Sequence, residues 1–225
     1  MSKNITLAFD VYGTLIDTNG VVHLLETMVG KKAKSFSQTW RDKQLEYSFR
    51  RAAMINYVSF AVCTSQALDY TCAYYNEPLS ENQKNSLLAL YKVLPAFDEV
   101  KSSLITLKQK GYRLFAFSNG QASAVEMLLE NAGIKELFLG IVSVDDIRTF
   151  KPSPGAYAHF LRTAEVKGEE AWLISSNSFD VTGSISAGMK AAWVQRTPEA
   201  LFDPWEIKAT LQVKSLSDFT KMIGK

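Results

Sequence analysis

Asp10 closes an apolar run, Ile5-Thr6-Leu7-Ala8-Phe9, and is followed by Val11-Tyr12-Gly13-Thr14-Leu15. That order places a carboxylate at the C-terminal tip of a buried strand, with a glycine turn and a hydroxyl just beyond it. Open α/β sheets bind their ligands at such tips. A lone aspartate there can be a nucleophile. Tyr12, two residues on, is not an acid, so this turn brings no carboxylic acid to protonate a leaving group. Ser118-Asn119 and Ser175-Ser176-Asn177 also follow apolar runs, Lys151-Pro152 lies between a strand pattern and a helix pattern, and Asp180 opens another helix pattern. On the common edge of a parallel sheet these would assemble a carboxylate nucleophile, hydroxyl and amide donors, an ammonium and a second carboxylate.

The elements that must position them fall into two blocks. From Asn19 to about Tyr91 the pattern is helical throughout. Val21-Val22, Leu24-Leu25 and Met28-Val29 recur at a helix period, Trp40 to Met54 is rich in helix formers, and Phe60 to Tyr75 has apolar steps of three and four. Pro78 breaks this pattern, and Ser80 with Gln83 resembles a capping box. After Pro95 strands and helices alternate. The spacing predicts a helix over 97–110 closed by Gly111, a strand over 112–117, a helix over 122–132 and a strand over 141–144. A helix over 154–164, a strand over 171–174, a helix over 180–187 and a strand over 191–194 follow. Such alternation predicts an α/β fold, a Rossmann-like parallel sheet with helices on both faces. The first strand belongs to this second block. The expected division is therefore a core of residues 1–15 and 95–225 and an inserted helical cap of residues 16–94.

Composition narrows the partners. The 225 residues are 47% hydrophobic, with a net charge of +2 and mixed signs along the chain. The basic clusters Lys31-Lys32-Lys34 and Arg50-Arg51 are too short for a nucleic-acid patch and read as solvated helix faces. No secretory signal pattern and no membrane-spanning run is expected. Cys63 and Cys72 lie nine apart on one predicted helix, on opposite faces at about 100° per residue. Reduced thiols in a cytoplasmic protein are the expectation. His23 and His159 have no partners at ligand spacing, so no zinc site and no cofactor are expected.

Taken in order, Asp10-Val-Tyr-Gly-Thr14-Leu15, Ser118-Asn119-Gly120, Phe150-Lys151-Pro152 and Ser175-Ser176-Asn177-Ser178-Phe179-Asp180 resemble the four motifs of the haloacid dehalogenase superfamily. More narrowly they resemble the type II (L-2-haloacid) dehalogenases, whose cap helix Trp40-Arg41-Asp42-Lys43-Gln44-Leu45-Glu46-Tyr47 also resembles. Phosphatases of the superfamily carry a second Asp where Tyr12 stands and a Gly-Asp pair where Ser175-Ser176 stand. Without those acids magnesium would lack ligands. Halide, by contrast, departs from carbon without protonation. Asp42 and Phe179 depart from the Gln and Trp common in the type II group.

The resemblance implies roles. Asp10 attacks C2 of a 2-haloalkanoate, giving an aspartyl ester that water opens to the 2-hydroxy acid. Lys151 holds Asp10, while Thr14 and Ser175 orient it. Ser118 binds the substrate carboxylate, and Asn119 and Arg41 cradle the halide. Asp180 with Asn177 handles the hydrolytic water, Tyr157 joins their network, and Tyr12, Leu45, Phe60 and Phe179 wall the reacting carbon. Plainer alternatives stand beside several of these: a helix N-cap for Asp180, a turn residue for Thr14, cap surface for Arg41, core for Tyr157, Leu45 and Phe60, and an exposed acid for Asp42. The expected partners are a small 2-haloacid and halide ion, with a homodimer implied by the family. A phosphatase-like hydrolase of the same fold and a non-catalytic carboxylate binder are the competing functions.

Overall fold

The computed structural model describes residues 5–223. β1 (Thr6–Phe9) is buried along its whole length. Four helices follow: α1 (Asn19–Val29), α2 (Ala33–Ala53), α3 (Phe60–Tyr75) and α4 (Glu81–Leu90). The rest of the chain alternates, as α5 (Val100–Gln109), β2 (Arg113–Ser118), α6 (Ala122–Asn131), β3 (Gly140–Ser143), α7 (Pro154–Thr163), β4 (Ala171–Ser175), α8 (Ser178–Ser186), β5 (Lys190–Val194), β6 (Leu211–Val213) and α9 (Leu216–Met222).

The strands form one six-stranded sheet in the order β3-β2-β1-β4-β5-β6, every pair parallel. Chain order reverses at β1, so the crevice beyond its tip is the switch point of the sheet. Register carries the chemistry to one level. Phe9 pairs with Ala116 of β2 and Ile174 of β4, so Asp10 stands beside Phe117-Ser118 and Ser175. Side chains alternate across the sheet. Leu7, Phe9, Leu114 and Ala116 join the core that runs on into α1, α2 and α4, while Ala8, Phe115, Phe117 and Leu173 join the core on the other face, with Phe160 and Val181.

The chain leaves the sheet and returns to it at one place. Asp17 N donates to Pro95 O at 2.8 Å and Phe97 N to Leu15 O at 3.0 Å. This antiparallel contact explains why α5 starts at Val100 and not at Phe97: residues 96–97 are held extended by residues 15–17. The Ser80–Gln83 capping box is present on α4.

Other boundaries differ from the sequence reading. α2 starts at Ala33, well before Trp40: Phe36 and Ala33 extend its buried stripe one and two turns upstream, with only polar residues between them and Trp40. α8 starts at Ser178, two residues before Asp180. Val144 lies in a 3₁₀ turn after β3 rather than in the strand. β6 and α9 have no counterpart in the sequence pattern; β6 is only three residues long and pairs on one side. Cys63 and Cys72 are both on α3, buried and unpaired. Among the described residues no helix is long and apolar enough to cross a membrane.

Candidate active site

The turn after β1 folds back on its own carboxylate. Gly13 takes φ +75°, a conformation that costs L side chains strain, and Leu15 and Ile16 both donate to Val11 O. The turn brings Thr14 Oγ1 to within 2.8 Å of Asp10 Oδ2, where it donates. Asn177 Nδ2 donates to the same oxygen at 2.8 Å and Ser175 Oγ at 3.2 Å. Among the described residues Asp10 Oδ1 receives Lys151 Nζ alone, at 2.9 Å. Thr14 is more than a turn residue: its hydroxyl also accepts the Ser176 N–H at 2.9 Å and ties the β1 and β4 tips together.

Lys151 is buried between two carboxylates. Its ammonium donates to Asp10, to Asp180 Oδ2 at 2.6 Å and to Phe117 O at 3.2 Å, and lies over the Phe117 ring. Its backbone N–H goes to Asn119 Oδ1 at 2.8 Å, so the Asn119 amide nitrogen is left for the cavity. Tyr157, in the core of the sheet's second face, donates to Asp180 Oδ1 at 2.9 Å. That approach needs Gly183 on α8, where a Cβ would lie 2.5 Å from the Tyr157 hydroxyl. Asp180 is not an N-cap. Asn177 holds that position, and the Asp180 carboxylate is spent on Lys151 and Tyr157.

The charges shift one another. Burial pushes the Asp10 carboxyl up, but Lys151 and the Thr14 hydrogen bond outweigh it and hold it below the ordinary carboxylate value. Asp180 is pushed up to about 6 by burial and by the charge on Asp10, against the pull of Lys151. The Lys151 ammonium, although burial disfavours it, is held above its usual value by the two carboxylates.

Above this floor lies a small cavity of about 20 Å³, room for roughly one water. Asp10, Lys151, Ser118, Asn119, Asn177 and Arg41 give it a polar lining, and Tyr12, Leu45, Phe60 and Phe179 an apolar one. The remaining four residues singled out in the sequence do not line it. Thr14 and Ser175 lie behind Asp10, and Asp180 and Tyr157 behind Lys151. A larger chamber of about 840 Å³ adjoins it and shares Tyr12, Arg41, Phe60 and Asn177. Arg41 is not free cap surface: Nη2 donates to Asn177 Oδ1 at 3.3 Å across to the sheet edge. Asp42 is exposed and accepts from Gln38 at 2.8 Å, not from Arg41.

Residues 6–188 match the haloacid dehalogenase-like hydrolase family. The chain belongs to that family. It is 36% identical to haloacetate dehalogenase H-2 of Moraxella sp. (strain B) over 196 residues, 87% of this chain and 88% of the relative. It is 31% identical to the (S)-2-haloacid dehalogenase of Pseudomonas sp. (strain YL) over 224 residues, 97% and 96% of the two chains. Its fold matches the L-2-haloacid dehalogenase of Xanthobacter autotrophicus, solved with chloropropionic acid covalently bound, at a TM-score of 0.90 and 28% identity over 99% and 98% of the chains. The resemblance read from the four motifs is thus the right one, down to the type II L-2-haloacid group.

For a haloacid dehalogenase-like hydrolase, magnesium is the group to test against this site. The donor set does not fit it. The Lys151 ammonium stands between the two carboxylates that could hold a cation, and Tyr12 and Ser176 offer no further acid. Two residues of the network escaped the sequence reading. Ser176 belongs to the strand-end donors and stands where phosphatases carry an acid, but the motif gives it no role of its own; its N–H and hydroxyl fasten Thr14 and Gly13. Gln44 accepts from Arg41 at 2.6 Å, and its place three residues along the same helix face was the available signal.

Proposed function

We propose that this hydrolase of carbon–halide bonds converts L-2-haloalkanoates to D-2-hydroxy acids through an ester on Asp10. The observation that carries the reading is the inequality of the two Asp10 oxygens. Oδ2 takes three hydrogen bonds, from Thr14, Asn177 and Ser175, and its lone pairs are engaged. Oδ1 faces one donor, Lys151, and keeps a lone pair for attack. Oδ1 bonds to C2 from the side opposite the halogen, and the C–X electron pair leaves as halide. Asn119 and Arg41 receive the halide, while Ser118 and neighbouring strand-end amides hold the substrate carboxylate. The apolar wall of Tyr12, Leu45, Phe60 and Phe179 keeps water from competing.

Water then attacks the Asp10 carbonyl carbon. The oxyanion forms on Oδ2, where the three donors already point, and this is preorganised stabilisation. Asp180 is the remaining carboxylate of the ring once Asp10 is esterified, and it takes up the water's proton with Lys151 and Asn177 holding the geometry. The ester opens at the carbonyl and the departing 2-alkoxide takes the proton back from Asp180, so C2 is inverted once, and Asp10 retains one oxygen from water.

Residues 16–94 serve as the cap that delivers Arg41, Leu45 and Phe60, hinged at the paired segments near residues 15–17 and 95–97. The reaction runs without a metal, since Lys151 supplies the cationic charge. The cytoplasmic location expected from the reduced cysteines and the homodimer implied by the resemblance belong to the same reading, and light scattering tests the dimer. The deciding experiment is halide release from each enantiomer of 2-chloropropionate in excess chelator, with turnover in ¹⁸O water. L-substrate alone should react, and label should enter Asp10 before product. Chelator-sensitive turnover, or label passing directly to the first product, overturns the reading.

A further inference from the structure

We infer that Gln44, backed by Thr64, is a positioning residue that aims the Arg41 guanidinium at the leaving halide. The inference rests on the role given to Arg41 above and adds what fixes it in place. Arg41 Nη1 donates to Gln44 Oε1 at 2.6 Å, Gln44 Nε2 donates to Thr64 Oγ1 at 2.5 Å, and the Thr64 hydroxyl donates to Phe60 O at 2.8 Å. Gln44 and Thr64 are 3% and 6% exposed, at the edge of the larger chamber, so little of either side chain is left for water.

The chain of bonds has a direction. A threonine hydroxyl has one proton, and here it is committed to the Phe60 carbonyl. Thr64 Oγ1 therefore meets Gln44 only as an acceptor. That requires the Gln44 amide nitrogen on the Thr64 side and turns the carbonyl oxygen to Arg41. Trp40 Nε1 donates to Thr64 O at 2.8 Å and locks α2 to α3 at the same level. An arginine side chain otherwise carries considerable rotamer freedom. With Nη1 anchored on Gln44 and Nη2 on Asn177, the plane of the guanidinium is set across the cavity mouth. The clamp also ends on Phe60, so the cap's charged and apolar contributions to the cavity are fixed by one network.

Halide charge appears only as the C–X bond breaks, so a misaimed Arg41 should cost turnover more than binding. The test is steady-state halide release from L-2-chloro- and L-2-bromopropionate by Gln44→Met, Thr64→Val and Thr64→Ser, with Gln44→Met repeated in an Arg41→Ala background. Gln44→Met should lower kcat about 10- to 100-fold, the scale of a small misplacement of a catalytic contact. KM should change by less than about threefold, and the loss should be larger for chloride, the poorer leaving group, than for bromide. Thr64→Val should show a smaller loss of the same kind, and Thr64→Ser should restore wild-type rates. In the Arg41→Ala background Gln44→Met should cost less than about twofold, because a residue acting through Arg41 has nothing left to act on. Equal losses in both backgrounds, losses blind to the halogen, or no loss at all overturn the inference. If Gln44→Met does not fold, the Thr64 pair decides by the same criteria. A wild-type protein that releases no halide from any 2-haloacid instead sinks the functional reading, and Gln44 with it as a catalytic device.

Discussion

The floor of the site and its wall are built on different principles. The floor comes from strand tips of the core. It is Asp10, Lys151 and Asp180, 7%, 1% and 0% exposed, with each charge hydrogen-bonded on several sides. The wall is shared: Leu45, Phe60 and one clamped arginine come from the cap, and Tyr12 and Phe179 from the core. A buried charge tolerates no loose partner, so the floor is fixed by sheet register and by Coulomb attraction together. An apolar wall needs only shape. On the proposed mechanism the comparison teaches that bond making resides in the floor, while the wall shapes what reaches it and contributes one charge, Arg41, to the departing halide.

The largest effect should come from the centre of the floor. Asp10→Asn should reduce halide release by at least about 10⁴-fold, the scale seen when a covalent nucleophile is removed. The amide cannot attack, and its NH₂ would have to face either Lys151 or the three donors on Oδ2, all of which donate. Turnover within tenfold of wild type, followed by ion chromatography of halide, would break the distinction at its root.

Lys151→Met tests whether the floor is an electrostatic unit. Removing one partner of a buried pair costs about 3–5 kcal/mol, and here two carboxylates lose the same cation. The pH dependence carries a sign. In the wild-type protein Asp10 is depressed, and its share of stability is present above the unfolded carboxylate value and lost as pH falls through the folded one. Asp180 is raised to about 6, so its share works the other way, weakening the fold as pH climbs from the ordinary carboxylate value to about 6. Without Lys151 both carboxyls are raised, and the folded state holds more protons than the unfolded one. The variant should therefore be more stable to urea at pH 5 than at pH 7, and a flat or rising profile would count against the coupled floor.

Tyr157→Phe is a smaller break in the same region. The phenol donates to Asp180 at 2.9 Å and favours its ionised form. Its loss should raise the Asp180 carboxyl further, moving the acid limb of kcat, which includes the ester hydrolysis that Asp180 serves, to higher pH and lowering turnover several-fold at pH 7. A stability loss of about 1.5–3 kcal/mol should accompany it, as for a hydrogen bond to a charged group. An unmoved acid limb would mean that Asp180 does not govern it.

How much of this was legible in the sequence follows the same division. The strand-tip part of the floor was readable because Asp10, Ser118-Asn119 and Ser175 end apolar runs, and a parallel sheet puts strand tips on one edge; Lys151 in the loop before α7 and Asp180 inside α8 were placed with them by the motif order. The partners on the wall were harder. Gln44 and Ser48 sit in the buried stripe of α2 as polar residues, so the apolar period that locates a helix face was interrupted there. The Gln44–Thr64 bond joins two helices whose relative rotation is set by packing, which no local pattern encodes. β6 and α9 were illegible for another reason. Leu211-Gln212-Val213 is too short for a period, and it becomes a strand only because β5 offers an edge.

Asp42 supplies the finest test. It follows Arg41 directly and departs from the Gln common in the type II group, so by sequence it could neutralise the arginine or repel an anionic substrate. Neighbours on a helix point about 100° apart, however, and do not face each other. Asp42 accordingly points out to solvent and takes its hydrogen bond from Gln38, four residues back on the same face, while Arg41 turns inward to Gln44 and Asn177. An exposed charge at that distance is screened by water and salt. Asp42→Asn should therefore change kcat/KM for L-2-chloropropionate by less than about twofold at physiological ionic strength, the scale of surface charge effects. A tenfold gain would show that an exposed acid on the cap governs the site as strongly as the buried ones do, and the separation of a reacting floor from a selecting wall would have to be redrawn.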